Sequence, residues 1–282
     1  MNLSLQYAVI ALNINLPYTM ELSIIILNYK MKGLVKNCVK TIFESEFDQP
    51  YEIIVVDNNS GDGVEAMLQE RFPQVKFIQT GANLGMGAGN NAGINAALGK
   101  YVLIMNPDIF VSRDSLQKLY DYISQRSDVG LVAPRLLNPD KTLQYTCYRW
   151  HKFLTPALRR TFFGKIKWAQ KELDRFLMRD WDHASTREVD WIQGSCLLIP
   201  KKVIDEAGAF DDRFFMYFED TDLCRRIRKA GYKNVYLAEA EVVHLHRRQS
   251  ADQSGLKSLF SKLTRIHIAS WMKYMLKWKG ES

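Results

Sequence analysis

The chain has 282 residues, 47% hydrophobic and 24% charged, enough for one substantial core that needs neither disulfides nor metal to stay folded. Eight prolines and 16 glycines exclude a fibrous or low-complexity protein. Four well-separated cysteines (Cys38, Cys147, Cys196, Cys224) exclude a disulfide scaffold and a zinc-ligand rhythm, and fit a reducing cytosol. The net charge of +7 is localised: residues 149–179 carry nine bases against two acids, and residues 257–279 carry six bases and no acid. A partner bearing phosphates, or an anionic membrane surface, is expected.

Residues 1–20 are uncharged, so they lack the basic start of a secretory signal. Asn13, Asn15 and Pro17 interrupt their apolar run short of the ~18 residues a spanning helix needs. They read as an N-terminal extension, with Met20 directly before the first strand pattern. Short β-branched runs at 22–27, 53–56, 75–78 and 101–105 predict strands, and 33–47, 63–71 and 87–98 the helices between them. Such alternation implies a parallel sheet with helices on both faces, whose ligands bind at the carboxyl ends of the strands. The residues there are Asn28-Tyr29-Lys30, Asp57-Asn58-Asn59-Ser60-Gly61-Asp62, the glycine-bearing stretch 81–93 and Asn106-Pro107-Asp108. A helix over 112–126, a strand over 129–134, a basic aromatic segment over 149–182, a strand over 196–199 and a helix over 219–230 follow. Leu256, Leu259, Phe260, Leu263, Ile266, Trp271, Met275 and Trp278 recur at broadly helical spacing with lysines largely opposite, predicting a C-terminal amphipathic helix.

Gly81-Ala-Asn-Leu-Gly-Met-Gly-Ala-Gly-Asn-Asn-Ala-Gly93 superficially suggests a dinucleotide loop. Asn90 stands where that fingerprint needs glycine, and the stretch follows the third strand rather than the first. Two readings stay open: a diphosphate-receiving turn lined by backbone N–H groups, or a plain tight turn. Asp57 ends the strand Ile-Ile-Val-Val-Asp, where a carboxylate accepts from a ribose hydroxyl or a base N–H, or else serves an Asx-turn or helix cap. Asp108 can hold a hard divalent cation, and Asn-Pro-Asp is equally good turn chemistry.

Residues 214–226, Phe-Phe-Met-Tyr-Phe-Glu-Asp-Thr-Asp-Leu-Cys-Arg-Arg, set three acids beside an aromatic wall. The helix dipole accounts for early acids and late Arg225, Arg226, Arg228 and Lys229, and Asp222 with Arg226 is an i,i+4 pair. A carboxylate against a dry wall would also rise in pKa toward that of a useful base. His244 and His246 form His-x-His after a strand-like run, both rings on one face. Pairs of this kind are commonly structural; as ligands beside Asp108 they tilt the preference from Mg²⁺ toward Mn²⁺.

Taken together, the segments resemble the inverting glycosyltransferases of family 2, which have the GT-A fold, over residues 22–250. They look most like the rhamnosyltransferase-like branch that builds O-antigen and other surface polysaccharides. The carrying pieces are Ile-Leu-Asn-Tyr, Val-Val-Asp-Asn-Asn-Ser, Asn-Leu-Gly-Met-Gly-Ala-Gly-Asn-Asn, Asn-Pro-Asp, Asp190-Trp-Ile-Gln-Gly-Ser, Gly208-Ala-Phe-Asp-Asp, Phe-Met-Tyr-Phe-Glu-Asp-Thr-Asp and Val-Val-His244. Their order and spacing together are specific. The resemblance implies an α/β GT-A fold with a Rossmann-like, mainly parallel sheet flanked by helices. It implies an extension (1–20), a nucleotide-sugar-binding half (21–127), an acceptor and catalytic half (128–250) and a basic amphipathic C-terminal helix (251–282).

The same resemblance implies roles for individual residues. Asp57 would read a uracil or thymine ring, with Asn28, Asn58, Asn83, Gly85, Asn90 and Asn106 also on the donor. Trp191 and Gly194 would flank the sugar and acceptor pocket. Asp108 matches the second acid of the D-x-D position, Asn106 replacing the first, and His244 matches the late histidine near metal and diphosphate. Asp220 corresponds to the catalytic base, Glu219 orients it or the acceptor, and Asp222 is the rival base. Mn²⁺ or Mg²⁺ is the implied cofactor and a UDP- or dTDP-sugar the donor, with rhamnose the sugar suggested. The acceptor would be a saccharide or a polyprenyl-diphosphate-linked saccharide. The basic segments, with Trp168, Trp181, Trp271 and Trp278, would then rest on anionic lipid, placing the enzyme peripherally at the cytoplasmic face of the cell membrane. Nucleic acid is not expected, since no recognised module accompanies the charge.

Two other classes remain for comparison. A sugar nucleotidyltransferase would want a glycine- and arginine-rich phosphate loop after the first strand, where this chain has Asn-Tyr-Lys-Met-Lys-Gly. A catalytically inactive glycan-binding module on the same fold would have no need of Asp57, Asp108, Asp220 and His244.

Overall fold

The computed structural model describes residues 19–160, 162–245 and 261–280. Residues 1–18 of the extension, His246, Leu256, Lys257, Leu259 and Phe260 lie outside the described residues.

The first half forms as its pattern dictates. Strands β1 (Leu22–Asn28), β2 (Tyr51–Asp57), β3 (Lys76–Gln79) and β4 (Tyr101–Met105) alternate with helices α1 (Lys32–Phe43), α2 (Val64–Arg71) and α3 (Gly85–Ala96). The strands pair in parallel in the order β3-β2-β1-β4, with Leu22 opposite Tyr51 on one side and Tyr101 on the other. Every residue of β1 is buried, which is why it reads as an apolar run at 24–27 rather than as an alternating pattern. Successive side chains feed opposite faces: Ile24, Ile26 and Val55 pack with Val35, Val39 and Leu68 of α1 and α2. Ile25, Leu27, Ile54 and Val56 pack with Ile94 of α3.

Helix α3 begins at Gly85, two residues before the expected start, so most of the glycine stretch is helix rather than loop. Its glycines serve close packing. A Cβ at Gly93 would lie 2.5 Å from Ile25 Cγ2, and one at Gly89 would lie 2.7 Å from Leu27 Cδ1. Side chains here would push the helix off the sheet.

The second half continues the same sheet. It comprises β5 (Ile109–Val111), α4 (Ser115–Ser124), β6 (Val129–Leu137), β7 (Cys147–Tyr148), α5 (Thr155–Arg160), α6 (Lys167–Phe176), β8 (Arg187–Val189) and β9 (Trp191–Ile192). After these come β10 (Cys196–Pro200), α7 (Lys201–Ala207), α8 (Glu219–Lys229), β11 (Lys233–His244) and α9 (Lys262–Lys277). Strand β10 enters antiparallel beside β4, and the order runs on through β6 and β11 to β5. The sheet is therefore parallel through β4, as expected, and mixed beyond it. A register shift between Leu237 and Glu241 lets the last residues of β11 pair with β5, setting His244 opposite Ile109.

Candidate active site

At the carboxyl ends of β2, β1 and β4 and the start of β10, four neighbouring strand ends present Asp57, Asn28, Asn106 and Ser195 along an edge on the order of 15 Å wide. Asp57 is the centre of one cluster. Its oxygens accept from Asn28 Nδ2 at 2.7 Å, the Ser60 N–H at 3.0 Å and Gln79 Nε2 at 3.1 Å. Burial works to raise this carboxyl, but the donors of Ser60, Asn28 and Gln79 outweigh it and hold it below the usual carboxylate range. Asn28 in turn caps the start of α1, its Oδ1 accepting the Met31 N–H at 3.0 Å. The Asp57-to-Ser60 bond is the turn bond that strand-end acids commonly make.

Asn58 stitches the β3–α3 turn to β2. Its Nδ2 donates to Asn83 Oδ1 (3.1 Å) and Gly85 O (2.9 Å), and its Oδ1 accepts the Leu84 N–H at 2.9 Å. The Gly85 N–H goes to Asn83 Oδ1 (3.0 Å) and the Met86 N–H to Phe215 O (2.7 Å). The N–H groups of Leu84, Gly85 and Met86 are thus taken by the protein's own acceptors, which fix the start of α3 to its neighbours. Asn90 lies one turn further into α3, its Nδ2 bonded to Met86 O and its buried Oδ1 without a protein partner.

Asp108 and His244 are brought together by the β5–β11 pairing, with Asp108 Oδ1 3.3 Å from His244 Nε2. The residue that orients this pair, Gln144, was not singled out from sequence. Its Nε2 donates to His244 O (2.9 Å) and Asn138 Oδ1 (2.7 Å), which turns its Oε1 toward His244 Nδ1 at 2.8 Å. Nε2 is the ring nitrogen that faces Asp108. Among the described residues no group of three or more His, Cys, Asp or Glu is placed to hold a metal. The pair nonetheless fits a Mg²⁺- or Mn²⁺-type ion that takes its remaining oxygens from substrate phosphates and water. Gln144 would then be the outer partner that fixes the imidazole.

Glu219 and Asp220 open α8 directly after a turn in which Tyr217 and Phe218 have φ of +69° and +68°. Asp220 Oδ2 accepts the Gly194 N–H at 2.9 Å and Oδ1 the Thr221 N–H at 2.7 Å. A Cβ at Gly194 would lie 3.2 Å from Asp220 Cβ, so the glycine lets the backbone reach the carboxylate. Burial raises both carboxyls. Glu219 moves well above the usual carboxylate range, with Asp220 adding to it, while the N–H groups of Gly194 and Thr221 restrain Asp220. Glu219 Oε2 has no hydrogen-bond partner, so the proton of the pair belongs on Glu219 and the charge on Asp220.

Asp222 is fully buried and fully engaged by Arg226 Nε (2.8 Å), Lys277 Nζ (2.8 Å) and Trp278 Nε1 (2.9 Å), which removes it as a rival base. Trp191 lies within the wall behind the acids, stacked on Tyr148 (4.4 Å between centroids), with its Nε1 given to Arg149 O. Asn106 joins the two parts of the site, its N–H bonded to Ser195 O beside Gly194.

The sheet edge thus gathers an ionised acid, a carboxylate–imidazole pair and a half-buried carboxylate that can accept a proton. Residues 23–177 match the family profile "Glycosyl transferase family 2". The N-acetylglucosaminyl-diphospho-decaprenol L-rhamnosyltransferase of Mycobacterium tuberculosis is 31% identical over 82% of this chain and 80% of its own length. The rhamnosyltransferase WbbL of Escherichia coli K12 is 25% identical over 89% and 91%. Among solved structures, GalNAc-T7, crystallised with UDP, GalNAc and Mn²⁺, superposes with a TM-score of 0.67 at 14% identity, covering 94% of this chain and 49% of that one. The α/β sheet, the acids at its edge and the match over most of the chain lead to one conclusion: the protein belongs to glycosyltransferase family 2.

Proposed function

We propose that this glycosyltransferase inverts configuration at the sugar it moves, using Asp220 as general base and a nucleoside-diphosphate sugar, UDP- or dTDP-linked, as donor. The observation that carries the reading is the setting of Asp220. It is a half-buried carboxylate gripped by the Gly194 N–H, on a turn whose Phe215 carbonyl is bonded to the Met86 N–H of the donor-side helix. The acceptor hydroxyl gives its proton to Asp220 as its oxygen bonds to the anomeric carbon. The bond from that carbon to the diphosphate oxygen breaks on the opposite face, its electron pair leaving with the diphosphate. Protonated Glu219 keeps a second negative charge away from the incoming oxygen. Asp57 and the Asn58-braced turn hold the nucleotide end in register. Asp108 and His244 would hold Mn²⁺ or Mg²⁺, which when bound neutralises charge on the leaving diphosphate.

Both rhamnosyltransferase relatives favour rhamnose as the sugar; the mycobacterial one, named for its diphospho-decaprenol substrate, favours a lipid-diphosphate-linked saccharide as acceptor, and a relative named for O-antigen biosynthesis favours a surface polysaccharide as product. Such an acceptor is offered at a membrane, and the exposed bases of α6 and α9 suit peripheral attachment to the anionic cytoplasmic leaflet. The test is turnover of a panel of UDP- and dTDP-sugars with Mn²⁺ or Mg²⁺ by the native protein and by Asp220→Asn. The variant is expected to bind donor normally and to turn over at least ~100-fold more slowly. Equal turnover in both would remove Asp220 from the chemistry.

A further inference from the structure

Helix α9 closes over the turn that delivers Glu219 and Asp220. Ser270 Oγ donates to Met216 O at 2.8 Å, and the His267 ring packs edge-on against Tyr217 (4.9 Å) and Phe218 (5.3 Å). Tyr274 packs on Phe218 at 5.4 Å, and Lys273 Nζ donates to Arg213 O at 2.6 Å. At the far end Lys277 bridges Asp211 (2.7 Å) and Asp222, while Trp278 Nε1 donates to Asp222 Oδ1. The grip brackets the two acids on both sides in sequence, from residue 211 to residue 222.

Between those anchors lie Tyr217 and Phe218 in the left-handed region, a conformation that bulky L-residues avoid unless their surroundings impose it. On its other side the turn is fastened to the donor half, through Met86 to Phe215 and through Asn91 to the Phe210 backbone. A turn that is strained, and tied at once to the donor helix and to α9, sets where the acids point.

We propose that α9 is a positioning clamp for the Glu219/Asp220 pair, holding the left-handed Tyr217/Phe218 turn in the setting that aims the base at the donor. The assignment of the base rests on the glycosyltransferase reading above; the clamp itself is geometric. Among the described residues, Tyr148 of β7 and, on α8 itself, Cys224 interact with Asp220, while His267 of α9 and His151 pack on the Tyr217/Phe218 turn.

The test compares the native protein with Ser270→Ala, Trp278→Phe and the double variant Ser270→Ala/Tyr217→Gly. Carbon-13 NMR of the carboxyl groups, assigned with Glu219→Gln and Asp220→Asn, follows their titration without any turnover. Loosening the turn admits water, so the raised titration of the pair is expected to fall by at least ~1 pH unit in both single variants. In the transfer assay kcat should drop roughly tenfold with donor KM within about twofold, because the base and not the donor site moves. The acid limb of the kcat profile should shift to lower pH. Glycine at 217 takes a positive φ without strain, so the double variant should recover most of kcat. If both single variants only lower the melting temperature, with titration and kcat unchanged, the clamp is wrong. If the titration moves but the native protein transfers no sugar, the clamp stands and the assignment of function fails.

Discussion

His151 shows how a single ring can set the acid limit of this fold. It is packed against Phe176 (4.7 Å), Phe218 (5.0 Å) and Trp191 (5.1 Å), and its Nδ1 has no partner. Burial, with the charges of Arg159, His267 and Arg175, lowers its pKa from 6.5 to about 3. The unfolded chain therefore binds a proton that the folded one refuses. Stability contributed by the neutral ring is complete above pH 6.5 and is lost as pH falls toward about 3, at up to about 1.4 kcal/mol per unit. The variant His151→Phe should lose melting temperature less steeply between pH 6.5 and 4.5 than the native protein; parallel slopes would show that the ring is not the sensor. Nothing in the local sequence marked His151, because its neighbours come from α6, β9 and the base turn. Gln144 was equally illegible, since its meaning depends on His244, a hundred residues away. Asp57, Asp108 and Asp220 were legible because each follows a strand or opens a helix, where sequence pattern and topology coincide.

Helix α3 illustrates what an element's glycines are for. The stretch 81–93 reads equally as a diphosphate-receiving turn or a plain tight turn, and its geometry is dictated by neighbours. Gly85 has φ +85°, and a Cβ there would meet the Phe215 carbonyl oxygen at 2.1 Å. Gly33, by contrast, sits near the start of α1 with nothing within 4 Å of its Cβ position. Gly85→Ala is expected to destabilise by at least about 2 kcal/mol, combining left-handed strain with a backbone collision. Gly33→Ala should stabilise by about 0.5 kcal/mol through the unfolded state. Chemical denaturation of both variants reads the difference, and similar losses in the two would mean the contact at Phe215 is not tight. Because Phe215 leads into the base turn, Gly85→Ala should also depress turnover, which Gly33→Ala should not. Such long-range collisions are invisible in a sequence, where a glycine that bends and a glycine that packs look alike. The regular β-α alternation up to β4 was readable for the opposite reason, that β1, β2 and β4 are buried almost throughout, on both faces, while β3 is the partly exposed edge strand. The short strands β5, β7, β8 and β9 were not, being two or three residues long and defined by partners far along the chain.

Across the whole molecule, α9 presents two faces with different chemistry. Trp278, expected as a membrane anchor, is buried against the base helix, and Trp181 stacks on His183; Trp168 of α6 alone among the four tryptophans is largely exposed. The outer face of α9 carries instead Ile268, Met272 and Leu276, one per turn and 46–71% exposed, among exposed Lys262, Arg265, Lys273 and Lys279. Trp271 packs on Phe153, which brings that exposed ring and its neighbour Leu154 to the edge of the same strip. Among the described residues no helix is long and apolar enough to cross a membrane. A strip of this kind, apolar in the middle and basic around it, suits shallow insertion into an anionic leaflet. The triple variant Ile268→Ser/Met272→Ser/Leu276→Ser should bind phosphatidylglycerol-rich vesicles at least about tenfold more weakly in a flotation assay. Hydrolysis of a soluble nucleotide sugar should be unchanged, because the inward residues that meet the base turn are intact. Native protein should bind phosphatidylcholine vesicles poorly, and its binding to the anionic ones should weaken as salt is raised. If the triple variant floats with anionic vesicles as well as the native protein does, the strip is not the lipid contact, and the basic surface of α6 around Trp168 becomes the face to mutate next.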